Sequence, residues 1–260
     1  MDCTLDELSN IAVIHFNWLD SIGMCCNRSK TEFIIFDRLS RFRGKELKIG
    51  QDKIKSVDHI RVLGTLFQDN LKWTKQINKS ISSANSMLTS LRYINRLVNR
   101  TQFKMATNAH FVSKIMFGST VWNKSISAKD RARLSFNLNR VARMNCKRYE
   151  KKVSNRTLYE SSGLRSLTSL CTIADCTMLY NLCTGLTVEP LCERLMSQCH
   201  TNYRFPNRTN FFDYSRTRVG RGSFVNRAKY ISELFTFDWV TLSPIAFKRA
   251  IRERTSIFMN

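Results

Sequence analysis

Cysteine and histidine side chains, the usual ligands of zinc in proteins, gather in one stretch of this 260-residue chain. The stretch runs through Cys176, Cys183, Cys192, Cys199 and His200. Its cysteines are separated by six, eight and six residues, whereas structural zinc sites favour ligand pairs separated by about two to four. The first two cysteines also fall at the spacing of a helix core. We therefore predict buried thiols and no metal site.

Positive charge is the second feature with chemical consequences. The chain has 42 Lys and Arg against 20 Asp and Glu, a formal net charge of +22. Residues 71–152 hold 18 of these basic side chains and 2 of the acidic ones, whereas residues 1–70 hold 10 of each. Such a segment repels itself unless a polyanion neutralises it. We therefore expect a nucleic acid as partner, ahead of an acidic protein or a membrane surface.

The remaining composition limits the class of protein. Nine glycines and three prolines among 43% hydrophobic residues favour a mostly helical globular chain. A run of about 18 apolar residues, which would predict a membrane span, does not occur. The opening MDCTLDELSN lacks the apolar centre of a signal peptide. Nine cysteines in this setting indicate reduced thiols, so we expect an intracellular protein of the nucleus or cytoplasm.

Hydrophobic periodicity divides the elements into a mixed first part and a helical remainder. Residues 3–22 have helical spacing. Phe33–Phe36 and the alternating runs around Leu47–Ile49, Ile54 and Ile60–Phe67 predict short strands. We expect these strands to form one small antiparallel sheet against the first helix. That sheet is too small to be a whole domain.

From Trp73 onward the apolar period becomes 3.6 residues. An apolar stripe from Trp73 to Val98 predicts one long helix, whose exposed basic side is formed by Lys72, Lys75, Lys79, Arg92, Arg96 and Arg100. Later helices are predicted to begin at the capping residues Thr101, Ser127, Ser166 and Ser243. We also expect a short helix opened by Pro190, a loop over 201–222 and a helix over 223–235.

Four short stretches, in this order, resemble one family of polymerases. GMCCNRSKTEFIIF is similar to the motif-D segment of non-LTR retrotransposon (LINE-type) reverse transcriptases, and IRVLGTLFQDNLKW to their motif-E hairpin, the primer grip. HFVSKIMFGSTVW resembles the H–S–YG–W signature that follows the thumb, with Phe117 replacing the usual tyrosine. GSFVNRAKYISELF and SPIAFKRAIR resemble the C-terminal pattern of Jockey- and CR1-like elements, although the WN–LP centre of that pattern is missing.

The resemblance implies an α+β, mostly helical architecture. It implies a partial palm over 1–70, a basic helical thumb over 71–152 and a helical C-terminal region over 153–260. A primer grip needs close backbone approach, which a glycine permits, so Leu63, Gly64 and Thr65 are the implied grip residues. The six basic residues of the long helix would hold the duplex. From the residues alone, Gly64 is equally well explained by a β-bulge under a helix.

The family's reaction depends on two Mg²⁺ ions held by paired aspartates. The 260 residues contain no adjacent pair of aspartates. Asp52, Asp58 and Asp69 fall on predicted turns, where we expect solvated side chains. We therefore expect no cofactor and no catalytic residue in this chain. Lys30, which matches the motif-D lysine that could protonate the departing pyrophosphate, is interpreted as vestigial.

Together these features predict a fragment of an RNA-directed DNA polymerase that retains binding of RNA or DNA, in particular a primer–template duplex. Alone, it is predicted to be inactive and to bind no small-molecule substrate. Two alternatives remain open at this point. One is a host RNA- or DNA-binding module recruited from such an element, and the other is an unrelated basic subunit of a ribonucleoprotein.

Overall fold

The chain forms two compact units, Met1–Gln76 and Ile77–Asn260. The computed structural model describes residues 5–37, 39, 41–150, 153–186, 199–202, 205–211, 222–224, 227–228, 231, 239 and 241–255. In these ranges the protein is mostly helical and carries short antiparallel hairpins, which confirms the predicted α+β, mostly helical class. None of the helices there has both the length and the apolarity that a membrane crossing requires.

The first unit begins with α1 (Leu5–Ser21), which packs against the first hairpin. That hairpin consists of β1 (Glu46–Ile49) and β2 (Asp52–Lys55). Side chains alternate along β1, so that Leu47 and Ile49 are buried while their neighbours are exposed. Phe33 completes this small core beneath the apolar side of α1.

A second, separate hairpin follows, formed by β3 (His59–Val62) and β4 (Thr65–Gln68). The prediction of one continuous sheet is therefore wrong, because each four-residue strand pairs only with its own hairpin partner. The predicted strand Phe33–Phe36 is also wrong. Within it only Phe33 pairs with another segment, through an isolated parallel bridge to Ser56.

The predicted long helix is two helices, α2 (Thr74–Ser86) and α3 (Leu88–Leu97), separated at Met87. The predicted apolar stripe is confirmed over its centre, where the buried residues are Ile77, Ile81, Ala84, Leu88 and Leu91. The next helix, α4 (Arg100–Thr107), is capped two residues before the predicted Thr101. Its cap is Asn99, whose side chain and that of Gln102 each accept the other's backbone N–H in a capping box.

A π-helical turn, Asn108–Val112, continues α4 into α5 (Ser113–Met116), and α6 (Ser119–Trp122) follows. Between the last two helices Gly118 has φ of 67°, a left-handed conformation that glycine adopts without strain. Trp122 is fully buried, and its Nε1 donates to the Phe117 carbonyl at 2.9 Å. The segment that resembles the post-thumb signature is thus a packed corner. His110 at its start is exposed.

The capping serines of the next helices confirm the sequence prediction. Ser127 caps α7 (Ala128–Cys146) and Ser166 caps α9 (Leu167–Cys183), each side chain accepting the N–H of the residue three positions later. Between them lies α8 (Asn155–Ser162). Helix α7 contacts α3, α4, α8 and α9 and so lies at the centre of the described part of the second unit.

Near its C-terminal end the chain contains a hairpin and a final helix. The hairpin pairs β5 (Cys199–Asn202) with β6 (Phe205–Phe211), so the predicted loop over 201–222 is wrong for the strand residues. The final helix is α10 (Pro244–Thr255), which packs against α9. Ser243 caps it, as predicted, by accepting the Ala246 N–H. The predicted helix at Pro190 lies outside the described residues, as does most of 223–235.

A buried ion pair connects distant parts of the second unit. Arg227 donates to both carboxylate oxygens of Asp175 on α9, at 2.8 and 3.0 Å, and both side chains are about 95% buried or more. Arg227 also donates to the carbonyls of Thr120 and Gly222. Asn123 adds a third hydrogen bond to Asp175, at 3.2 Å. The segment that resembles the post-thumb motif thus meets the segment that resembles the C-terminal motif at the hydrogen bond from Arg227 to the Thr120 carbonyl.

Candidate nucleic-acid interface

A cleft of about 380 Å³ opens between α3 and α7 in the second unit, and arginines from both helices line it. Leu88 and Met144, which are buried, give it an apolar base, and Tyr149 is 66% exposed. We call this feature the arginine cleft. Its lining residues are Leu88, Arg92, Asn95, Arg96, Arg140, Arg143, Met144 and Tyr149.

Helix geometry explains why these arginines meet. Arg92 and Arg96 are four residues apart on α3, and Arg140 and Arg143 are three apart on α7, so each pair lies on one helix face. The helices contact each other, and Asn95 Nδ2 donates to the Met144 carbonyl at 3.2 Å. This contact between the two helices holds the two arginine pairs around one cleft.

The arginine cleft has a positively charged lining, since among the described residues none with a carboxylate lines it. Arg140 donates to the side-chain oxygens of Asn85 and Asn137, both at 3.3 Å, and these partners are neutral. Arg143 donates to the Glu150 backbone carbonyl at 2.7 Å. Each guanidinium has five N–H donors, and hydrogen bonds to these neutral oxygens do not cancel its positive charge. Such a cleft favours a ligand with several phosphate groups.

Arg92 and Arg96 are the two predicted binding residues that the structure brings together in this cleft. Both are exposed, and within the described ranges neither forms an ion pair. Arg100 is exposed at the first position of α4 and does not line the cleft. It remains a separate candidate for a phosphate contact.

The three predicted lysines differ from one another, because two of them are not exposed. Lys72 is exposed, as expected. Lys75 is half-buried, and its Nζ donates to Asp58 Oδ2 at 2.6 Å and lies 2.9 Å from His59 Nδ1. Lys79 is half-buried and has interactions of its own. The prediction that all three are exposed is therefore wrong, because β3 lies close to the start of α2 and engages Lys75.

The predicted grip residues lie at the tip of the β3–β4 hairpin in the first unit. The register pairs Val62 with Thr65, which leaves Leu63 and Gly64 as a two-residue turn. Both have positive φ, 46° and 89°, as in a type I′ turn, so the proposed β-bulge at Gly64 is wrong. Leu63 is 95% exposed, whereas Thr65 is buried. Of the three, Leu63 is presented to solvent for a contact.

Left-handed φ at Leu63 is unfavourable, since a side chain there costs about 1–2 kcal/mol. A bulky apolar residue is thus held in a strained, exposed turn.

Of the aspartates predicted to be solvated, Asp58 and Asp69 form ion pairs within the first unit. Asp69 is buried and accepts from the Arg43 guanidinium and from the Asn70 N–H at 2.7 Å, so its predicted solvation is wrong. Hydrogen bonds from Lys75 and then from His59 lower the pKa of Asp58 to about 2. Ion pairs with basic side chains therefore already occupy both carboxylates.

The described residues do not fit the Mg²⁺ pair of the resembled family. Asp58 and Asp69 are engaged by basic side chains, and Asp52 also has interactions of its own. In the described ranges no three side chains of His, Cys, Asp or Glu come together as ligands. Lys30 is exposed at the end of a short 3₁₀ turn, Arg28–Lys30. Its backbone N–H donates to the side chain and to the carbonyl of Asn27.

The described residues of the candidate zinc stretch lie on two different elements. Cys176 on α9 is buried, and burial raises the pKa of its thiol to about 12, so it stays protonated. Cys183 is half-buried on the last turn of the same helix. Cys199 and His200 lie on β5, while Cys192 lies outside the described residues.

Comparison of this chain with protein-family models, with curated proteins and with solved structures gives no match.

Sequence reasoning missed three residues of the arginine cleft, Arg140, Arg143 and Tyr149. Arg140 and Arg143 lie on α7, and Tyr149 follows that helix. All three fall within the strongly basic 71–152 segment, so the two arginine charges were visible in the sequence. Their position opposite α3 depends on which helices pack together, which periodicity does not specify.

Proposed function

We propose that this chain binds nucleic acid through the phosphate backbone, and that the arginine cleft is its principal contact. The observation that carries the proposal is the meeting of four arginines, from two packed helices, in a cleft whose described lining contains no carboxylate. Phosphodiester groups recur along a polynucleotide and accept hydrogen bonds from guanidinium groups. Tyr149, largely exposed beside the arginines, is suited to stack on a base.

We further propose that the nucleic acid is the primer–template of a non-LTR retrotransposon reverse transcriptase, of which this chain forms the palm edge, thumb and following helices. Two features support this. The stretch that resembles motif E forms a tight hairpin with the exposed Leu63 at its tip. Arg92 and Arg96, which the resemblance assigns to the thumb, line the arginine cleft.

Binding through phosphate charges predicts that the affinity depends on the backbone and not on the base sequence. We expect two unrelated oligonucleotides of equal length to bind with dissociation constants within about threefold of each other. A matched oligonucleotide with uncharged methylphosphonate linkages should bind at least about 100-fold more weakly, since counterion release and ionic hydrogen bonds are both lost. Fluorescence anisotropy with labelled strands measures all three. Equal binding of the uncharged strand would overturn the proposal.

The purified chain is expected not to extend a primer, with either Mg²⁺ or Mn²⁺. Asp58 and Asp69 are held by basic partners, so they do not supply the free carboxylates that align a triphosphate with a primer hydroxyl. Primer extension with a labelled primer on an RNA template is the measurement. Template-dependent extension that disappears on Asp58→Asn or Asp69→Asn would contradict this expectation.

A further inference from the structure

A second group of basic side chains, distinct from the arginine cleft, surrounds the final helix α10. Two adjoining cavities, of about 690 and 510 Å³, share Arg165 and Arg252 in their linings. Lys248 and Arg249 of α10 line the larger cavity and Lys104 of α4 lines the smaller one. We call the two cavities together the α10 groove. Its lining has no residue in common with that of the arginine cleft.

The amphipathic pattern of α10 explains why these charges face outward together. Phe247, Ile251 and Thr255 are spaced by four residues and are buried. Phe247 stacks on Tyr180 of α9 with ring centroids 4.1 Å apart. Packing of this side leaves Lys248, Arg249 and Arg252 of α10 exposed.

Arg165 is placed in the groove by the turn between α8 and α9. Its Nη1 donates to Thr255 Oγ1 at 3.3 Å, which ties the turn to the end of α10. Burial, and then the nearby charge of Arg252, lower the pKa of Arg165. An anion beside these two guanidinium groups would offset their mutual repulsion.

Lys104 reaches the same turn from α4. Gly163 lies directly beneath it, and a Cβ at that position would be 3.2 Å from Lys104 Nζ. Gly163 also has φ of 65°, which a side chain would disfavour. The turn therefore leaves room for the lysine ammonium beside Arg165.

Acidic residues neutralise the groove only in part. Of the two carboxylates in its lining, Glu160 accepts from Arg156 Nε at 3.0 Å, and Glu253 has interactions of its own. Within the described ranges, none of the five basic lining residues forms an ion pair with either. Five cations against two carboxylates leave the described lining with a net charge of +3.

We propose that the α10 groove is a second phosphate-contact site for nucleic acid, beyond the arginine cleft, so that the second unit holds a polynucleotide at two places. This inference rests on the proposed function. It assigns the phosphodiester backbone as the ligand, because the groove offers several separate cations along a helix face rather than one enclosed pocket for a small anion.

The test compares two variants of equal charge in the full chain. The groove variant carries Lys248→Gln, Arg249→Gln and Arg252→Gln. The control variant carries Lys114→Gln, Lys124→Gln and Lys129→Gln, three exposed lysines outside both linings. Each binds a labelled single-stranded RNA of about 30 nucleotides, long enough for two contact sites. Affinity is measured by anisotropy across a salt titration, and melting temperatures confirm that both variants fold.

We expect the groove variant to bind at least about tenfold more weakly than the control, with a salt dependence reduced by about two to three units of slope, one for each lost phosphate contact. If the groove and control variants bind alike while substitutions in the arginine cleft weaken binding, the groove proposal fails and the proposed function stands. If the parent chain binds no RNA, both fail. Weakening of the groove variant that is independent of salt also overturns the groove as a phosphate site.

Discussion

Replacing Asp175 by alanine is expected to lower the free energy of unfolding of the second unit by about 3–5 kcal/mol. The substitution leaves the buried Arg227 guanidinium without its carboxylate, and an uncompensated buried charge is costly. It also removes the hydrogen bonds that α9 accepts from Arg227 and from Asn123. Urea unfolding followed by circular dichroism measures the change.

Two further variants decide whether the charge is the cause. Glu160→Gln removes an exposed ion pair of the same unit and is expected to change the free energy of unfolding by about 0.5 kcal/mol or less. The double variant Asp175→Leu, Arg227→Met removes both buried charges and should recover part of the loss. A double variant less stable than Asp175→Ala would contradict this account.

Removing the two unpartnered arginines of the arginine cleft is expected to lower nucleic-acid affinity by about 100-fold. Arg92→Gln and Arg96→Gln each delete a charge-assisted contact with phosphate, and each such contact contributes at least about 1.4 kcal/mol, a factor of ten. Both side chains are exposed and form no ion pair in the described part of the chain, so the fold should persist. Anisotropy with a labelled RNA–DNA duplex at one salt concentration measures the loss.

The matched control for this pair is Lys114→Gln with Lys124→Gln. It removes the same net charge from exposed positions of the same unit that do not line the cleft. A general effect of net charge would weaken both variants equally, whereas the arginine cleft as a site predicts a large loss only for the arginine pair. Equal losses would sink the assignment of the cleft.

Local signals in the sequence were sufficient to predict where three helices of the second unit begin. Ser127, Ser166 and Ser243 cap helices as predicted, because a cap depends on a few neighbouring residues. The stripe from Ile77 to Leu91 is buried because one period of 3.6 residues defines one face. The predicted cap of α4, Thr101, was wrong because Asn99 and Gln102 form a reciprocal capping pair that starts the helix earlier.

Contacts between distant residues were not predictable in the same way. The ion pair of Arg43 with Asp69 spans 26 positions and turns a predicted solvated carboxylate into a buried one. Lys75 was expected on an exposed helix face, yet Asp58 on the preceding hairpin engages it. The arginine cleft likewise depends on the packing of α3 on α7. In each case the sequence shows that a side chain is charged, but a contact with a distant residue decides whether that side chain is buried, paired or exposed.

The salt dependence of binding by the parent chain and by the Arg92→Gln, Arg96→Gln variant tests the central claim most directly. For the parent, the logarithm of the association constant should fall linearly with the logarithm of the salt concentration, with a steep slope. The variant should lose about two units of that slope, and the Lys114→Gln, Lys124→Gln control should keep the parent's slope. A parent affinity that does not respond to salt, or an arginine variant with the slope of the parent, would contradict binding of nucleic acid in the arginine cleft.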